Sequence, residues 1–286
     1  MPLKLAPDPA LAGPASFGET EAKKEKIMSE IPSMLEMLQA GVHFGHKASK
    51  WHPKMKPFIF GERSDVHILN LELTAKKLKE ALDFVRKTTA AGGVVLFVGS
   101  KEQAKEIVKR HAKDAGMPYV TTRWLGGTFT NFKTIKSVTD RFTDLKNKTA
   151  TGGLAKYTKK EQLNFQKEIV KLEELVGGIE TLKKLPEAIF VVDVRAEKTA
   201  VAEARKRKVP VVALCDTNIN PENIDYPVPS NDDAVKAIEM MVGLFAAAAK
   251  EGKAEFESKR GAAPEKPAAP APAPVVPAPV VEEEKK

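Results

Sequence analysis

The stretch from Arg123 to Phe132 brings a cation, a large flat ring and two adjacent glycines into one short segment, Arg-Trp-Leu-Gly-Gly-Thr-Phe-Thr-Asn-Phe. The glycines permit backbone angles that a side chain would forbid. The guanidinium of Arg123, the indole of Trp124 and the amide of Asn131 suit a nucleic-acid backbone and its bases. We therefore predict a nucleic-acid contact in this turn. The alternative is that the indole packs under the helices that follow and that Arg123 is a solvated surface charge.

A second basic stretch extends from Gly41 to Arg63 and contains five Lys or Arg residues against one Glu. Phe and Trp side chains are interleaved with these cations. Cations for phosphates and rings for stacking are the combination that RNA-binding surfaces use. The prolines and glycines of this stretch predict an ordered loop rather than a regular element. The candidate contact residues in this loop are Lys47, Lys50, Trp51, Lys54, Lys56 and Arg63.

Three histidines in the same loop, His43, His46 and His52, raise the alternative of a zinc site. No cysteine accompanies them and they lack a familiar ligand framework, so we expect packing or hydrogen bonding instead. Three aspartates at or beyond predicted strand ends could also hold a metal, namely Asp193, Asp216 and Asp232. Aspartates at such positions more often cap helices or stabilise turns. The sequence predicts no cofactor and no resident metal.

The composition favours a polyanionic partner. The protein has 286 residues, a formal net charge of +8 and a sequence pI of about 9.3, although charge alone does not separate nucleic acid from an acidic membrane surface. Its single cysteine, Cys215, excludes a disulfide framework and fits a reducing compartment. No apolar run approaches the roughly twenty residues that span a bilayer, and the N-terminus lacks a signal-peptide layout. We expect a soluble cytoplasmic protein without a membrane partner.

Apolar runs of strand length alternate with helical patterns along most of the chain, which predicts a doubly wound, Rossmann-like three-layer α/β sandwich. The 42% apolar content is ample for its core. Residues 225–229, with two prolines, are predicted to form a loop. The five strands of the predicted parallel sheet are Val66–Asn70, Val94–Gly99, Pro118–Thr122, Ala188–Asp193 and Val209–Cys215.

Such folds often bind ligands at the carboxyl ends of their strands, so an enzyme has to be weighed. The segment after the second predicted strand, Val98-Gly99-Ser100-Lys101, contains no Gly-x-Gly-x-x-Gly pattern, and the chain contains no phosphate-binding P-loop. Ser100 does not lie in a nucleophile elbow, and no catalytic triad or acid/base pair is evident. A nucleotide-dependent enzyme is therefore the second hypothesis, and a free RNA-binding or membrane-surface module is the third.

The charged segment from Lys133 to Lys184 interrupts the alternation and carries two narrow heptad seams. A Thr-x-x-Glu capping box at Thr158 opens the second seam. The segment predicts an antiparallel two-helix hairpin with twelve Lys or Arg against seven Asp or Glu. The seam residues are Ile135, Val138, Phe142, Leu145, Phe165, Ile169, Leu172, Val176 and Ile179, and the contact candidates are Lys133, Lys136, Lys156, Lys159 and Lys160.

These patterns divide the chain into parts of different character. The predicted parts are a flexible N-terminal extension at 1–32, a globular α/β domain at 33–132 and 185–252, the hairpin at 133–184, and a disordered Ala/Pro-rich tail at 253–286. Met28 is an alternative start within the extension.

Several motifs together resemble the bacterial small-subunit ribosomal protein S2 family, in order and over roughly Ser33 to Gly252. The chain departs from the usual family pattern at Ser100-Lys101-Glu102, at Phe129 and at Val194. The motifs are His43-Phe44-Gly45-His46, Pro53-Lys54-Met55-Lys56-Pro57, Phe97-Val98-Gly99, Arg123 to Thr128, Thr130-Asn131-Phe132, Pro210-Val211-Val212 and Asn231-Asp232-Asp233-Ala234.

The resemblance implies a flavodoxin-like sandwich that carries a coiled-coil hairpin, and a structural rather than catalytic role in the small ribosomal subunit. It implies that hairpin and globular part contact 16S-type rRNA. It also implies contacts with other small-subunit proteins and a role in recruiting ribosomal protein S1. We therefore expect the protein at the ribosome, in the cytoplasm.

Overall fold

The computed structural model describes residues 31–154 and 156–261, and the elements below all lie in these ranges. The strands are β1 (Phe44–Lys47), β2 (Ile59–Arg63), β3 (Val66–Leu69), β4 (Val95–Val98), β5 (Tyr119–Val120), β6 (Ala188–Val191), β7 (Val211–Cys215) and β8 (Tyr226–Pro229). The helices are α1 (Met34–Ala40), α2 (Leu71–Ala90), α3 (Glu102–Ala115), α4 (Phe132–Ala150), α5 (Lys159–Val176), α6 (Lys198–Lys206) and α7 (Val235–Gly261).

A five-stranded parallel sheet with the order β5-β4-β6-β7-β8 forms the centre of the fold. Phe97 of β4 is in register with Phe190 of β6, and Phe190 with Val212 of β7. Every residue of these three strands is buried, because helices cover both faces. The predicted doubly wound α/β sandwich is therefore confirmed.

The membership of the sheet differs from the prediction. Residues 66–70 were predicted as its first strand, but β3 pairs antiparallel with β1 and β2 in a separate three-stranded sheet. Burial alternates along β3, as in a strand with one open face. Since β1 and β2 lie within Gly41–Arg63, the prediction of a loop without regular elements there was wrong.

The fifth parallel strand is instead β8, which lies in the segment predicted as a loop. Its two prolines, Pro227 and Pro229, argued against a strand because proline cannot donate a ladder hydrogen bond. β8 is an edge strand that pairs only with β7 in the described sheet. An edge position tolerates proline because one side of the strand needs no donor.

Two cores lie on opposite faces of the sheet, since alternate residues of each strand point in opposite directions. On one face, Phe97, Phe190 and Phe245 of α7 pack in series, with ring centroids 5.3 and 4.3 Å apart. On the other face, Leu96 and Ile189 belong to a cluster that includes residues of α4 and α6. The start of the hairpin is thus part of a core.

The hairpin consists of α4 and α5, joined by residues 151–158. Arg141 of α4 forms an ion pair with Glu168 of α5, at 2.8 Å, and the capping box of Thr158 and Glu161 is present. Phe142 and Val176 are buried in the seam. The short connection between two packed helices gives the antiparallel pairing that the heptad seams predicted.

The hairpin packs against other parts of the described chain. Residues 177–183 fold back along α4, where Glu180 accepts hydrogen bonds from Thr143 Oγ1 at 3.4 Å and Lys146 Nζ at 3.3 Å. A Cβ at Gly178 would overlap the carbonyl oxygen of Tyr119 in β5. A glycine at this close approach therefore fixes the hairpin base against the edge of the sheet.

Helix α7 continues to Gly261, so residues 253–261 are helical and do not belong to the predicted tail. The predicted N-terminal extension up to residue 30, the start at Met28 and the remaining tail lie outside the described residues. Among the helices of the described ranges, none has an apolar stretch long enough to cross a membrane.

Candidate nucleic-acid interface

The turn before the hairpin is organised around the carboxylate of Glu203, a residue of the neighbouring helix α6. Glu203 accepts hydrogen bonds from the backbone N–H groups of Gly127 at 2.6 Å, Phe129 at 2.9 Å and Thr130 at 3.2 Å. The indole N–H of Trp124 donates to the same carboxylate at 3.4 Å. One buried anion thus satisfies donors from four positions of the turn.

The charge of Glu203 is stabilised despite its burial. Burial alone raises the pKa of this carboxyl, but the hydrogen bonds from Gly127, Phe129 and Thr130 oppose it, and the pKa lies below its ordinary value. Charge-assisted hydrogen bonds to backbone N–H groups are among the strong ones in proteins. The carboxylate therefore stays ionised and fixes the turn at neutral pH.

Glu203 was not predicted as a functional residue, because it lies in a helix with many charged residues and has the appearance of one more solvated side chain. The spacing of Glu203 relative to the apolar residues of the helix indicated that it lies on the buried face. Glu203 falls three residues after Ala200 and directly before Ala204, and these two alanines are buried on the sheet-facing side of α6. A charged residue on the apolar face of a helix needs a buried partner.

The two glycines of the turn have different roles. Gly127 has a φ of +95°, in the region that side chains rarely adopt, and its N–H donates to Glu203. Gly126 does not have a positive φ, is exposed, and would accept a Cβ with no atom within 4 Å. The conformational requirement therefore falls on Gly127 alone.

The structure separates the predicted contact residues of the turn. Trp124 is 7% exposed and packs edge-to-face on Phe129, with centroids 5.1 Å apart, so its ring is core and cannot stack on a base. Assigning Trp124 to the contact surface was wrong, because a large apolar ring with a satisfied N–H is stable inside. Arg123 and Asn131 are exposed, and Asn131 accepts a hydrogen bond from Thr134 Oγ1 at 3.0 Å.

The basic residues of the Gly41–Arg63 stretch are exposed. Within the described chain Lys54 pairs with Glu222, whereas the other four have no ion pair: Lys47, Lys50, Lys56 and Arg63. The indole of Trp51 is half-buried and lies edge-on to the imidazole of His67, at 5.3 Å. Trp51 therefore anchors the stretch to β3 and leaves part of its ring accessible.

The hairpin candidates are also exposed and form no ion pair among the described residues: Lys133, Lys136, Lys156, Lys159 and Lys160. Lys156 Nζ lies 5.4 Å from the ring centroid of Tyr157. Lys133 and Lys136 lie at the start of α4, while the other three lie at the distal turn and the start of α5. The structure therefore places these cations at both ends of the hairpin rather than in one patch.

A separate polar cluster occupies the carboxyl ends of the parallel strands. Lys101 Nζ lies 2.8 Å from Asp232 Oδ1, 2.6 Å from Asp233 Oδ1 and 3.6 Å from Asp193 Oδ2. His46 Nδ1 lies 2.9 Å from Asp216 Oδ2. Burial, followed by the charges of Asp216 and Asp193, raises the pKa of Asp232 to about 7 despite Lys101. Negative charge therefore exceeds the positive charge that the chain supplies here.

The other two histidines of the suggested zinc site do not join this cluster. The ring of His43 packs against that of Phe44, with centroids 4.0 Å apart and the planes tilted by 39°, and burial lowers the pKa of His43. His52 Nδ1 accepts a hydrogen bond from the N–H of Lys54 at 3.2 Å and so caps a short 3-10 helix. The expectation of packing and hydrogen bonding is confirmed for these two.

Comparison with protein families decides the wider assignment. The family of ribosomal protein S2 matches residues 37–252, which is most of the chain and includes the turn, the hairpin and both sheets. The chain belongs to the ribosomal protein S2 family. The family is a structural, non-enzymatic kind of ribosomal protein, and as a member the chain is a structural constituent of the small ribosomal subunit, located at the ribosome.

Replacement of the turn glycines tests the geometry of this S2 protein. We expect Gly127→Ala to lower the free energy of unfolding by about 1–3 kcal/mol, because alanine would be strained at this φ. The added Cβ would also lie 3.3 Å from Asn131 Cβ. The matched variant Gly126→Ala should change stability by less than about 0.5 kcal/mol. Urea denaturation measures both, and equal losses would contradict the account.

Replacement of the buried anion tests the centre of the turn. Glu203→Gln should lower the free energy of unfolding at pH 7 by about 1–3 kcal/mol, because an amide cannot accept all the hydrogen bonds. The folded-state pKa of Glu203 is depressed, so its contribution exists above the ordinary value of 4.5 and is lost as the pH falls through the folded pKa. The difference between the two proteins should therefore shrink below pH 4.5.

The control is Glu106→Gln on α3, an exposed glutamate without an ion pair in the described chain. This variant should match the parent protein at every pH. A Glu203→Gln protein as stable as the parent at pH 7, or a difference that does not change between pH 7 and pH 4, would show that Glu203 does not hold the turn.

Proposed function

We propose that the protein binds small-subunit rRNA through exposed cations on its turn, its hairpin and its β1–β2 stretch. The observation that carries this proposal is that, among the described residues, these cations other than Lys54 lack acidic partners, while other cations of the hairpin have them. In the hairpin, Arg141, Lys146 and Lys148 pair with acidic residues of α4, of α5 or of the return segment, residues 177–183. The five lysines predicted as contacts do not, in the part of the chain that the structure describes.

The turn contributes through a side chain rather than through its backbone. The N–H groups of Gly127, Phe129 and Thr130 are occupied by Glu203 and are not free for a phosphate. Arg123 is exposed on the same ordered turn. A guanidinium is planar and can donate two parallel hydrogen bonds to the oxygens of one phosphate. We therefore assign the phosphate contact of the turn to Arg123.

The β1–β2 stretch supplies cations and rings together. Lys47, Lys56 and Arg63 are exposed, and part of the Trp51 ring is accessible. An accessible aromatic ring among unpaired cations can stack on an unpaired base of RNA while the cations approach phosphates.

The triple variant Lys156, Lys159 and Lys160→Glu tests the hairpin contact. We expect its affinity for small-subunit rRNA, or for subunits that lack the protein, to fall at least about tenfold in 0.1 M salt. The slope of log affinity against log salt should decrease in magnitude by roughly 2, because about three phosphate contacts are lost. Filter binding or sedimentation over a salt series measures both quantities.

The control carries the same charge change on another exposed surface, with Lys76, Lys79 and Lys87 of α2 replaced by Glu. This variant should lose affinity only through net charge, with a smaller change in the salt slope. If the hairpin variant and the α2 variant behave alike, the hairpin makes no localised contact and the proposal fails for it.

We also propose that an apolar surface on α1 and the three-stranded sheet binds ribosomal protein S1. Its members are exposed although they are large and apolar, with exposed fractions of 66% for Leu35, 51% for Leu38, 47% for Phe44 and 79% for Phe60. Leu38, Phe44 and Phe60 line one groove of about 440 Å³. Contiguous exposed apolar residues at the rim of a groove are typical of protein–protein contacts.

The double variant Leu38→Ser with Phe60→Ser should enter small subunits but lower the affinity of those subunits for S1 by at least about tenfold. The control is Leu163→Ser with Val170→Ser on α5, where the exposed fractions are 50% and 58%. S1 is quantified on washed subunits after sedimentation. Unchanged S1 occupancy with the first double variant present in the subunit would refute this contact.

A further inference from the structure

A groove of about 410 Å³ lies at the amino ends of β4 and β5, at the opposite end of the strands from the polar cluster. Its walls are the connections that lead into these two strands, residues 181–184 after the hairpin, and the end of α7. None of the residues that line it belongs to the RNA or S1 contacts proposed above. The groove is therefore a surface to which those contacts assign no role.

The last turns of α7 form one wall of the groove because the helix packs tightly against its neighbours. A Cβ at Gly252 would lie 2.4 Å from the backbone oxygen of Arg86 in α2. A Cβ at Gly92 would lie 2.7 Å from the half-buried ring of Phe256, which covers the connection before β4. Residues 253–261 lie beyond the range 37–252 that matches the S2 family. This wall thus belongs to a part of the chain outside the family match.

The groove combines an apolar floor with a cationic rim. The floor contains the buried side chains of Met117 and Leu182 beside the ring of Phe256. One rim lysine, Lys184, pairs with Glu187, whereas the other rim cations form no ion pair with a described residue. Such a surface fits a ligand that carries negative charge next to apolar side chains. The rim cations are Lys183, Lys184, Lys253 and Arg260, and the one acidic residue of the lining is Glu257.

The sequence that follows α7 contains a segment of this chemistry. Between residues 262 and 286 the large apolar side chains are two valine pairs, Val275-Val276 and Val280-Val281. Only the second pair is followed directly by acidic residues, the three glutamates at 282–284. An RNA backbone would engage the rim cations but would leave the apolar floor uncovered. The groove therefore fits residues 280–284 better than it fits RNA.

We propose that residues 280–284 of the same chain bind in this groove. Val280 and Val281 cover the floor, and the three glutamates lie at the rim cations. Lys285 and Lys286 follow the acidic residues and extend past the rim. The inference does not depend on the proposed RNA and S1 contacts, because it rests on a different surface and on a different part of the sequence.

The connection between α7 and the valine pair is long enough for this binding. Residues 262–279 could span up to about 60 Å when fully extended. The part of the groove wall formed by Phe256 lies only about 8 Å along the helix axis from Gly261. A covalent connection also raises the effective concentration of the segment, up to the order of millimolar. Modest complementarity is therefore sufficient for the segment to occupy the groove.

Binding would join two elements that the groove separates. Leu182 and Lys183 belong to the return segment that fixes the base of the hairpin, whereas Phe256 and Arg260 belong to α7. A segment that contacts both would fasten the end of α7 to the hairpin base.

The test is zero-length cross-linking of the dilute full chain with a carbodiimide, which joins a carboxylate to an amine in direct contact. We expect the glutamates at 282–284 to be joined to Lys183 or Lys253 in the monomer fraction, as identified by mass spectrometry of the peptides. The yield should fall as salt is added, because the contact is between exposed charges.

Two matched variants separate binding from chance encounter. Val280→Ser with Val281→Ser should lower the cross-link yield at least about fivefold, because the floor loses its apolar contacts. Val275→Ser with Val276→Ser should leave the yield unchanged. Both variants keep every amine and carboxylate, and both lie outside the described fold, so neither removes a reactive group or disturbs the groove.

Several results would overturn the proposal. Equal yields from the two variants, or equally frequent cross-links to the exposed Lys76 and Lys79 of α2, would show that the segment does not bind in the groove. Cross-links confined to a dimer fraction would make a second copy the source of the segment. Absent cross-links, together with a loss of rRNA affinity in the variant Lys183→Gln with Arg260→Gln, would identify the groove as an RNA contact instead.

Discussion

A buried carboxylate must be paired, and the way Glu203 meets this requirement determines the shape of the turn between the sheet and the hairpin. An ionised group without partners in the interior would cost several kcal/mol. The fold provides backbone N–H groups from Gly127, Phe129 and Thr130 instead. Since these donors can converge only when the chain turns sharply, the anion on α6 dictates the turn at which α4 begins.

The rest of the hairpin follows from this turn and from the return segment. The turn sets where α4 leaves the sheet, and Ile135 and Phe142 bury its first half in the second core. Residues 177–183 then run back along α4, with Gly178 packed against the backbone of Tyr119. The base of the hairpin is therefore fixed by covalent continuity, apolar packing and one close backbone approach, while the lysines of the distal turn remain exposed.

The parts of the fold that sequence could predict are those that local composition determines. The buried strands β4, β6 and β7 have uninterrupted apolar runs because both of their faces are covered. The hairpin was predicted because heptad spacing and a capping box are local signals. β8 was missed because Pro227 and Pro229 exclude an interior strand, and nothing local distinguishes an edge strand from a loop.

The sites depend on pairs of residues that are distant in sequence, and this limited their prediction. Exposed lysines and arginines could be named from the sequence, but Trp124 could not be assigned to core or surface without its partner Glu203. His46 and Asp216 are separated by 170 positions, so no spacing rule connects them. The aspartates at strand ends were noted as candidate ligands, yet only the fold shows which histidine joins them.

The central claim is that the Glu203-centred turn and the hairpin present unpaired cations to rRNA. A density map of the assembled small subunit containing this protein tests it most directly. We expect the Arg123 guanidinium and the lysines at the distal turn of the hairpin to lie within about 3 Å of phosphate oxygens, the range of charge-assisted hydrogen bonds. A map in which Arg123 and these lysines face solvent or another protein, with no RNA in reach, would contradict it.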